Sequence, residues 1–348
     1  SCFKKHDLSP RSRGFIYSPF VEGLRPDEFF FGSITGRDGL MDTALRTPKS
    51  GYLYRRLANG LQDFIVEYDK TVRDASDNIV QFKYGGDWID VSGEHKNEEV
   101  SAGEAIGLVT AQSFGEPSTQ MALNVFHSAG VAEMQVTKGL PRLIEILDAR
   151  KKPSTPTMEI YLDKEHNEKD SRIIAEKIKE VKVKEITDEI NIDFGSKKLE
   201  LVINREGLKS AHMTTDSVAK KLAGENNSFK VVVEGKNLTI DLSDKTFTEI
   251  YKVKEKIKEK ILSGIKGIEQ VLIVKRGKDF VILTAGSNLK DVMQFRGVDV
   301  DRLLTNDLYA VADLLGIEAA RSLIIREIHK VIESQGLDIN KRHLMMVA

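Results

Sequence analysis

Cysteine, long apolar runs and an excess of either charge are missing from this sequence of 348 residues, and each absence excludes a class of protein. The single cysteine, Cys2, excludes an internal disulfide and a zinc site built from paired cysteines. No apolar run approaches the roughly eighteen residues that cross a bilayer, so we expect a soluble, cytoplasmic protein with no membrane partner. Lysine and arginine (52) balance aspartate and glutamate (53), so any contact with nucleic acid must come from a local patch.

Proline is scarce as well: the chain has 8 prolines, and 41% of its residues are hydrophobic. This composition is typical of a globular chain. The length allows roughly two or three domains. Common catalytic signatures are absent from the sequence: it has no GxxxxGK followed by Ser or Thr, no GxGxxG after a predicted strand, no HExxH and no GxSxG. Any chemistry must therefore depend on a less common site.

One segment is poor in charge although 30% of the chain is charged: between Ser118 and Thr137 only Glu133 carries a charge. We predict a helix that begins at Pro117, after a break at "GEP". One face of that helix would hold four residues, Gln120, Leu123, Asn124 and His127. Amides can bond to sugar hydroxyls, leucine can lie against a base, and histidine can donate a hydrogen bond or a proton to a phosphate. A helix buried on both sides, with these side chains satisfied by neighbours, fits the residues equally well.

The flanking segments predict a helix–loop–helix around this stretch. The preceding "AGEAIGLVTAQSF" is a helix of small residues suited to close packing. The following "LPRLIEILDARK" predicts a returning helix that begins at Pro141. Gly130, between the two, is the expected hinge.

A long helix, or two in line, is predicted in "GLRPDEFFFGSITGRDGLMDTALRTPKSGYLYRRLANGLQDFIVEYDKTV". Its part from Pro26 to Gly60 would be roughly 50 Å long. Pro48 favours a kink because it removes one backbone hydrogen bond. The helical period predicts a buried face formed by Met41, Leu45 and Tyr52. Residues 79–98 predict a short strand pair and then a polar linker.

A basic arc lies on another side of this helix and contains Arg46, Lys49 and Arg56, with small hydroxyl residues beside it. No acidic residue occurs from Thr43 to Gln62, which favours contact with phosphates over a simple solvated face. Asp38 and Asp42 share a face and could hold a metal, although a solvated pair is the simpler interpretation.

Beyond the linker "KKPSTPT", the pattern changes to strands and amphipathic helices. Three segments predict hairpins with glycine-containing turns: "EINIDFGSKKLELVIN", "FKVVVEGKNLTIDLS" and "VLIVKRGKDFVILTA". A helix is predicted over "KTFTEIYKVKEKIKEKILSGI", and the C-terminal residues predict a helical module. The predicted fold class is therefore α+β: a long helix and a helical hairpin, then a mixed domain with antiparallel hairpins.

These segments resemble a known family. The stretch "GEAIGLVTAQSFGEPSTQMALNVFHSAGVAEMQVTKGLPRLIEILDARKKPSTP" closely resembles the trigger-loop region of the largest subunit of multisubunit DNA-directed RNA polymerases. "GLRPDEFFFGSITGRDGLMDTALRTPKSGYLYRRL" resembles their bridge helix, and "DLSPRSRGFI" the end of their funnel region. "LGIEAARSLIIREI" and "INKRHLMMVA" resemble the cleft region after the jaw. The similarity is archaeal in character, dense over residues 7–85 and 101–158, thin over 159–285 and good again from 286.

The resemblance implies a division into successive segments: the end of the funnel region (1–20), the bridge helix (21–62), post-bridge strands and a linker (63–98), the trigger-loop region (99–152), a jaw-like α+β domain (153–285) and a helical cleft module (286–348).

It also implies roles for single residues. In the family, the trigger loop folds against the bridge helix when a matched nucleoside triphosphate (NTP) is bound. His127 matches the position that reaches the phosphates, where it stabilises the transition state or protonates the pyrophosphate leaving group. Gln120 and Asn124 match positions that face the ribose hydroxyls, and Leu123 one that packs on the base. Bridge-helix residues expected near the template and nucleotide are Arg46, Thr47, Pro48, Lys49 and Tyr52.

The chain departs from the family in the metal site. The loop of three aspartates that holds the essential Mg²⁺ is absent from this sequence, so Mg²⁺ would serve the whole enzyme through ligands outside this chain. The isolated chain is therefore expected to be inactive and to work with other polymerase subunits, DNA template, RNA transcript and NTP. The alternatives are a non-catalytic nucleic-acid-binding module, using the basic arc, and a structural module.

Overall fold

The computed structural model describes residues 3–91, 98–123, 139–163, 168–193, 195–204, 207–208, 213–223, 230–234, 237–243, 246–277 and 279–348. The chain forms two compact units. The first contains residues 1–131, 138–148 and 324–348, and the second contains residues 132–137 and 149–323. In the described part of the chain, no helix has both the length and the apolar character needed to span a membrane.

A single long helix, α1 (Pro26–Leu61), runs through the first unit. Its third residue, Glu28, accepts the backbone N–H of Arg25 at 3.0 Å and so caps the helix start. The helix continues through Pro48 and spans about 54 Å at 1.5 Å per residue. The predicted helix from Pro26 to Gly60 is therefore confirmed, but its extension through "VEYDKTV" is wrong.

The residues after α1 form a three-stranded antiparallel sheet of β1 (Ile65–Val66), β2 (Val72–Arg73) and β3 (Ile79–Gln81), with β2 in the middle. The turns explain why the helix does not continue. Asp69 accepts the backbone N–H of Thr71, and Asp74 accepts that of Asn78. These bonds stabilise turns, because they use backbone N–H groups that a continuing helix would donate to its own carbonyls. A 3₁₀ turn, Tyr84–Gly86, follows.

The second helix, α2 (Ile106–Leu123), packs against α1. It continues through Pro117, so the predicted break at "GEP" and the predicted helix start at Pro117 are wrong. Side-chain hydroxyls support this turn: Ser118 and Thr119 both donate to the carbonyl of Gly115, at 2.9 and 3.0 Å. The small residues predicted for this segment do serve close packing, because a Cβ on Gly107 would lie 1.8 Å from the carbonyl oxygen of Leu61.

The predicted buried face of α1 is also wrong. Met41, Leu45 and Tyr52 are 52%, 64% and 60% exposed, whereas Ser50 and Leu53 are buried. The reason is that α2 packs, through small residues, on the side of α1 that carries Ser50. The hydrophobic residues of α1 therefore do not indicate which side α2 covers.

The first unit also contains α3 (Leu140–Leu147), with Pro141 in its first turn as predicted, and the C-terminal α11 (Lys341–Val347). The core of this unit combines the sheet, α2 and α11 and contains Val66, Val72, Tyr84, Val100, Ile106 and Met346.

The second unit contains two four-stranded antiparallel sheets and a short strand pair. One sheet has the order β11-β12-β4-β13, from β4 (Thr157–Ile160), β11 (Gln270–Arg276), β12 (Asp279–Ala285) and β13 (Leu304–Thr305). The other has the order β6-β7-β9-β8, from β6 (Thr187–Asp193), β7 (Lys198–Ile203), β8 (Lys230–Glu234) and β9 (Asn237–Asp241). All three predicted hairpins are confirmed, and so is the α+β class with antiparallel sheets.

Helices cover these sheets: α4 (Glu168–Ile178), α5 (Val183–Ile186), α6 (Thr215–Ala223), α7 (Phe247–Lys258), α8 (Leu289–Met293) and α9 (Leu308–Leu315). Helix α10 (Ile317–Glu333) follows, and its residues from Ile324 onward belong to the first unit. The helix predicted to run through "KILSGI" ends at Lys258, because Ile261–Ser263 forms strand β10 and pairs with β5 (Val181–Lys182). Gly264, with φ +84°, then turns the chain beside the carbonyl of Lys179.

Candidate functional site

The four residues predicted to share one uncharged face lie at the end of α2 and beyond it. Gln120 is exposed on α2, and its amide donates to the carboxylate of Glu116 one turn earlier. Leu123 is the last residue of α2. Asn124 and His127, together with the predicted hinge Gly130, lie outside the described residues. Their common face therefore stays a prediction.

The predicted template-facing residues of α1 are at the protein surface. Thr47, Pro48, Lys49 and Tyr52 are exposed, and Arg46 is half-buried. Arg46 binds Asp42 through two nitrogens, at 3.0 and 2.8 Å. An exposed pair of this kind stabilises a helix by only about 0.3–0.5 kcal/mol, so a phosphate can replace Asp42 as the partner of Arg46.

A pair of buried hydroxyls, with the more exposed Thr119 beside it, joins α1 to α2. The hydroxyl oxygen of Ser50 lies 2.8 Å from that of Ser118 and 3.2 Å from that of Thr119. Ser50 is one turn from Thr47 on α1, and Ser118 precedes Gln120 by two residues on α2. The contact therefore brings the Gln120 end of α2 beside the Thr47–Pro48 turn of α1. Sequence reasoning counted Ser50 among the small hydroxyl residues beside the basic arc, which is wrong because Ser50 is buried. It did not identify Ser118, although the small residues of α2 pointed to a close helix contact.

An ion pair joins α1 to α3. Arg56, which sequence reasoning grouped with Arg46 and Lys49 as a phosphate ligand, instead donates to Asp148 at 2.5 Å. Its guanidinium carbon also lies 4.7 Å from the ring centre of Tyr52. Asp148 is 92 residues away in sequence, so no local signal could have identified this pair.

The helix α3 also takes part in a buried ion cluster. Arg142 donates to Glu145 at 2.7 Å and to Glu327 of α10 at 3.1 Å, and Arg142 and Glu145 are each only 4% exposed. Three charged groups with little access to water are stable together only because they are paired.

Two buried ionisable groups support α1 and α2 from outside the site. The carboxylate of Glu28 accepts backbone N–H groups from Tyr17, Ser18 and Arg25, and these bonds lower its pKa to about 2. The ring of His343 contacts the hydroxyls of Thr110 and Tyr84 at 3.3 and 3.5 Å. Burial, together with the charge of Arg342, lowers the pKa of His343 to about 4, so this ring is neutral near pH 7.

Within the described ranges, no three His, Cys, Asp or Glu side chains come close enough together to hold a metal ion. Asp42, one of the two aspartates considered for a metal, is bonded to Arg46. These residues do not fit a Mg²⁺ site. Two surface cavities, of about 310 and 630 Å³, are lined by none of the predicted site residues.

Comparison with known proteins places these helices in a family. The family model for RNA polymerase Rpb1, domain 5, matches residues 23–348, which include α1, α2 and α3. The chain is similar to the DNA-directed RNA polymerase subunit Rpo1C of Thermococcus gammatolerans, with 43% identity over 263 residues that cover 74% of this chain and 67% of the relative. This chain therefore belongs to the Rpb1 domain 5 family and is part of the largest subunit of an RNA polymerase of archaeal type.

Proposed function

We propose that α1 is the bridge helix and that α2, residues 124–138 and α3 form the trigger-loop region. In the assembled enzyme, these elements position the incoming NTP and promote template-directed nucleotidyl transfer and translocation. The observation that carries the proposal is the buried contact between Ser50 and Ser118 at 2.8 Å. It sets the end of α2, where the proposed substrate contacts begin, beside the turn of α1 proposed to lie under the template base.

The proposal assigns a role to each substrate-facing residue. Gln120 and Asn124 bond to the ribose hydroxyls, and Leu123 packs on the base. His127 contacts the phosphates, where it donates a hydrogen bond or a proton as pyrophosphate leaves. Gly130 is the hinge. The low charge follows from these roles, because a glutamate would repel the triphosphate and a lysine would attract it before base pairing had been tested.

On the other side of the nucleotide, the proposal uses the exposed surface of α1. Thr47 and Pro48 lie beneath the template base, with Tyr52 one turn further along. Arg46 and Lys49 supply positive charge for phosphates. Mg²⁺ would supply the charge that phosphoryl transfer needs, through ligands outside this chain. The partners are then the other polymerase subunits, the DNA template, the RNA transcript and NTP.

The test is single-nucleotide addition by the assembled polymerase with His127→Ala in the full-length subunit. Loss of a group that donates to the phosphates should slow addition by about 10²-fold while subunit assembly is unchanged. His329→Ala is the matched control, because His329 lies on α10 and its side chain is half exposed. Wild-type rates for His127→Ala would refute the proposal.

An activity assay on the isolated chain tests the metal part of the proposal. Templated RNA extension should occur only when the remaining subunits and the rest of this subunit are present. Extension by the isolated chain would mean that it contains a metal site of its own.

The second candidate is a non-catalytic nucleic-acid-binding module. Two residues favour it: Lys49 is exposed, and Arg46 can exchange its partner Asp42 for a phosphate. It predicts that the isolated chain binds DNA strongly, with an affinity that falls steeply as salt increases. Its binding would be weakened by Lys49→Gln and unaffected by His127→Ala.

A further inference from the structure

We infer that Arg56 is a positioning residue that holds the end of α3 against α1, an inference that rests on the proposed function. Its Nη1 donates to Oδ1 of Asp148 at 2.5 Å. Asp148 is the C-cap of α3, and its own backbone N–H bonds to the carbonyl of Ile144 at 2.8 Å. The ion pair therefore joins α1 directly to the last turn of α3.

The side chain of Arg56 is held from a second direction. Tyr52 lies one turn earlier on α1, and its ring centre is 4.7 Å from the guanidinium carbon of Arg56. Residues four apart on a helix face each other, so this contact holds the guanidinium along α1. A lysine would reproduce it less well, because an ammonium group lacks the flat surface with which a guanidinium can stack on a ring.

The position of the Arg56 side chain leaves one of its nitrogens without a hydrogen bond. Its Nε is buried and has no hydrogen-bond acceptor among the described residues. A buried donor without an acceptor is unfavourable, and a side chain free to turn would expose it to water. The contacts with Asp148 and Tyr52 therefore outweigh the unfavourable burial of Nε. This is expected if the side chain serves to fix the position of α3.

The pair also completes an arrangement in which two neighbouring turns of α1 hold both flanking helices. Ser50 binds α2 through Ser118, and Arg56 binds α3 through Asp148. The two residues are about 9 Å apart along α1, given a rise of 1.5 Å per residue. The chain between α2 and α3 carries the proposed substrate contacts. Small errors in the position of its ends would therefore reduce the rate of the chemical step more than the binding of substrate.

The experiment measures single-nucleotide addition by assembled polymerase that carries Arg56→Gln, Asp148→Asn or both in the full-length subunit. We expect each single change to lower kcat about fivefold, with KM within about twofold of wild type, and the double change to be no slower than either single one. Arg55→Gln is the matched control, since Arg55 is the adjacent, exposed residue of α1 and should leave kcat unchanged. Asp148→Glu, which keeps the charge, should recover part of the rate.

Rates are measured per active complex, so a loss of folded subunit lowers the amplitude and leaves the rate constant unchanged. Wild-type kcat for both Arg56→Gln and Asp148→Asn would overturn the inference, and so would effects that multiply in the double variant. His127→Ala, measured in the same assay, separates this outcome from failure of the proposed function. If His127→Ala is slow while the Arg56 and Asp148 variants are normal, only the role of Arg56 is refuted. If His127→Ala has the wild-type rate, the proposed function fails and the inference fails with it.

Discussion

The hydroxyl oxygens of Ser50 and Ser118 lie 2.8 Å apart, and both side chains are completely buried although the residues are 68 positions apart in sequence. A hydroxyl pair between two helices requires a close approach, and glycines of α2 permit it further along: a Cβ on Gly107 would meet the backbone of Leu61, and one on Gly115 would meet the side chain of Tyr54. The same closeness makes the interface between α1 and α2 sensitive to one added methyl group.

Gly107→Ala should destabilise the protein, although alanine is normally the better helix former. The new Cβ would lie 1.8 Å from the carbonyl oxygen of Leu61, which is backbone and cannot turn away. Overpacking of this kind costs about 1–3 kcal/mol, more than the roughly 1 kcal/mol that alanine gains in helix propensity. Urea unfolding should therefore show a net loss of free energy of unfolding.

Gly39→Ala is the matched control for that measurement. Gly39 lies inside α1, and a Cβ there would meet no atom within 4 Å. This change should raise the free energy of unfolding by about 0.5–1 kcal/mol. A gain in stability for Gly107→Ala would contradict the close approach of α2 to α1. A loss for Gly39→Ala would contradict the open space around Gly39.

Removal of one member of the buried ion cluster on α3 should be costly. Arg142→Ala leaves the carboxylates of Glu145 and Glu327 without the guanidinium that both accept from. Breaking a buried pair typically costs about 3–5 kcal/mol, so the urea midpoint should fall well below that of wild type. Arg150→Ala, at an exposed arginine just after α3, should change stability by less than about 0.5 kcal/mol. Equal midpoints for the two variants would show that the cluster contributes little.

Acid should destabilise the first unit through His343. Its pKa falls from 6.5 to about 4 on folding, since burial and Arg342 disfavour the charged ring more than Asp90 favours it. The unfolded chain therefore binds more protons between these values, and the free energy of unfolding decreases as pH falls from about 6.5 to about 4. The loss is at most about 3 kcal/mol.

Unfolding measurements at pH 7 and pH 5 test this dependence. His343→Gln should reduce the difference between the two pH values, because the ring whose pKa falls on folding is then absent. An unchanged difference in His343→Gln would mean that other groups cause the acid sensitivity.

The start of α1 should loosen in acid over a lower range. Three backbone N–H groups lower the pKa of Glu28 from 4.5 to about 2, so its stabilising effect is complete above pH 4.5 and disappears as pH falls toward 2. Glu28→Gln should produce the same loosening at neutral pH, seen as faster hydrogen exchange at Tyr17 and Ser18. Glu22→Gln, at an exposed carboxylate just before the helix, should leave these rates unchanged. Protection that persisted in Glu28→Gln would refute the capping role.

Local patterns predicted the elements whose partners are close in sequence. The hairpin of β11 and β12 is one example: its strands are joined by a short turn, and Arg276 pairs with Asp279 at the closed end. Turn residues and alternating hydrophobic residues encode such a pairing directly. The same reasoning located the returning helix α3 from Pro141.

Errors occurred where a distant segment decides the outcome. The exposed Met41 and Leu45 give α1 an apparent apolar stripe, yet the buried position is Ser50 because α2 packs there. Pro117 resembles a helix start, but α2 continues through it while its hydroxyl neighbours bond to the carbonyl of Gly115. In both cases packing outweighed local propensity.

All four predicted substrate contacts remain predictions, and two of the residues, Asn124 and His127, lie outside the described residues. The basic arc was predicted from one helix alone. Charge on a single helix face cannot show that Arg56 is bonded to Asp148 whereas Lys49 remains exposed.

The sequence by itself determined the family, the α+β class, the hairpins and the charge-poor stretch, because these depend on residue types at short separations. Only the tertiary structure decided which side of α1 is buried, that α2 is continuous, and that Ser50 and Arg56 hold the two flanking helices. Those outcomes depend on contacts between residues 68 and 92 positions apart. Such contacts form only once the chain has folded, and no periodicity within one segment specifies them.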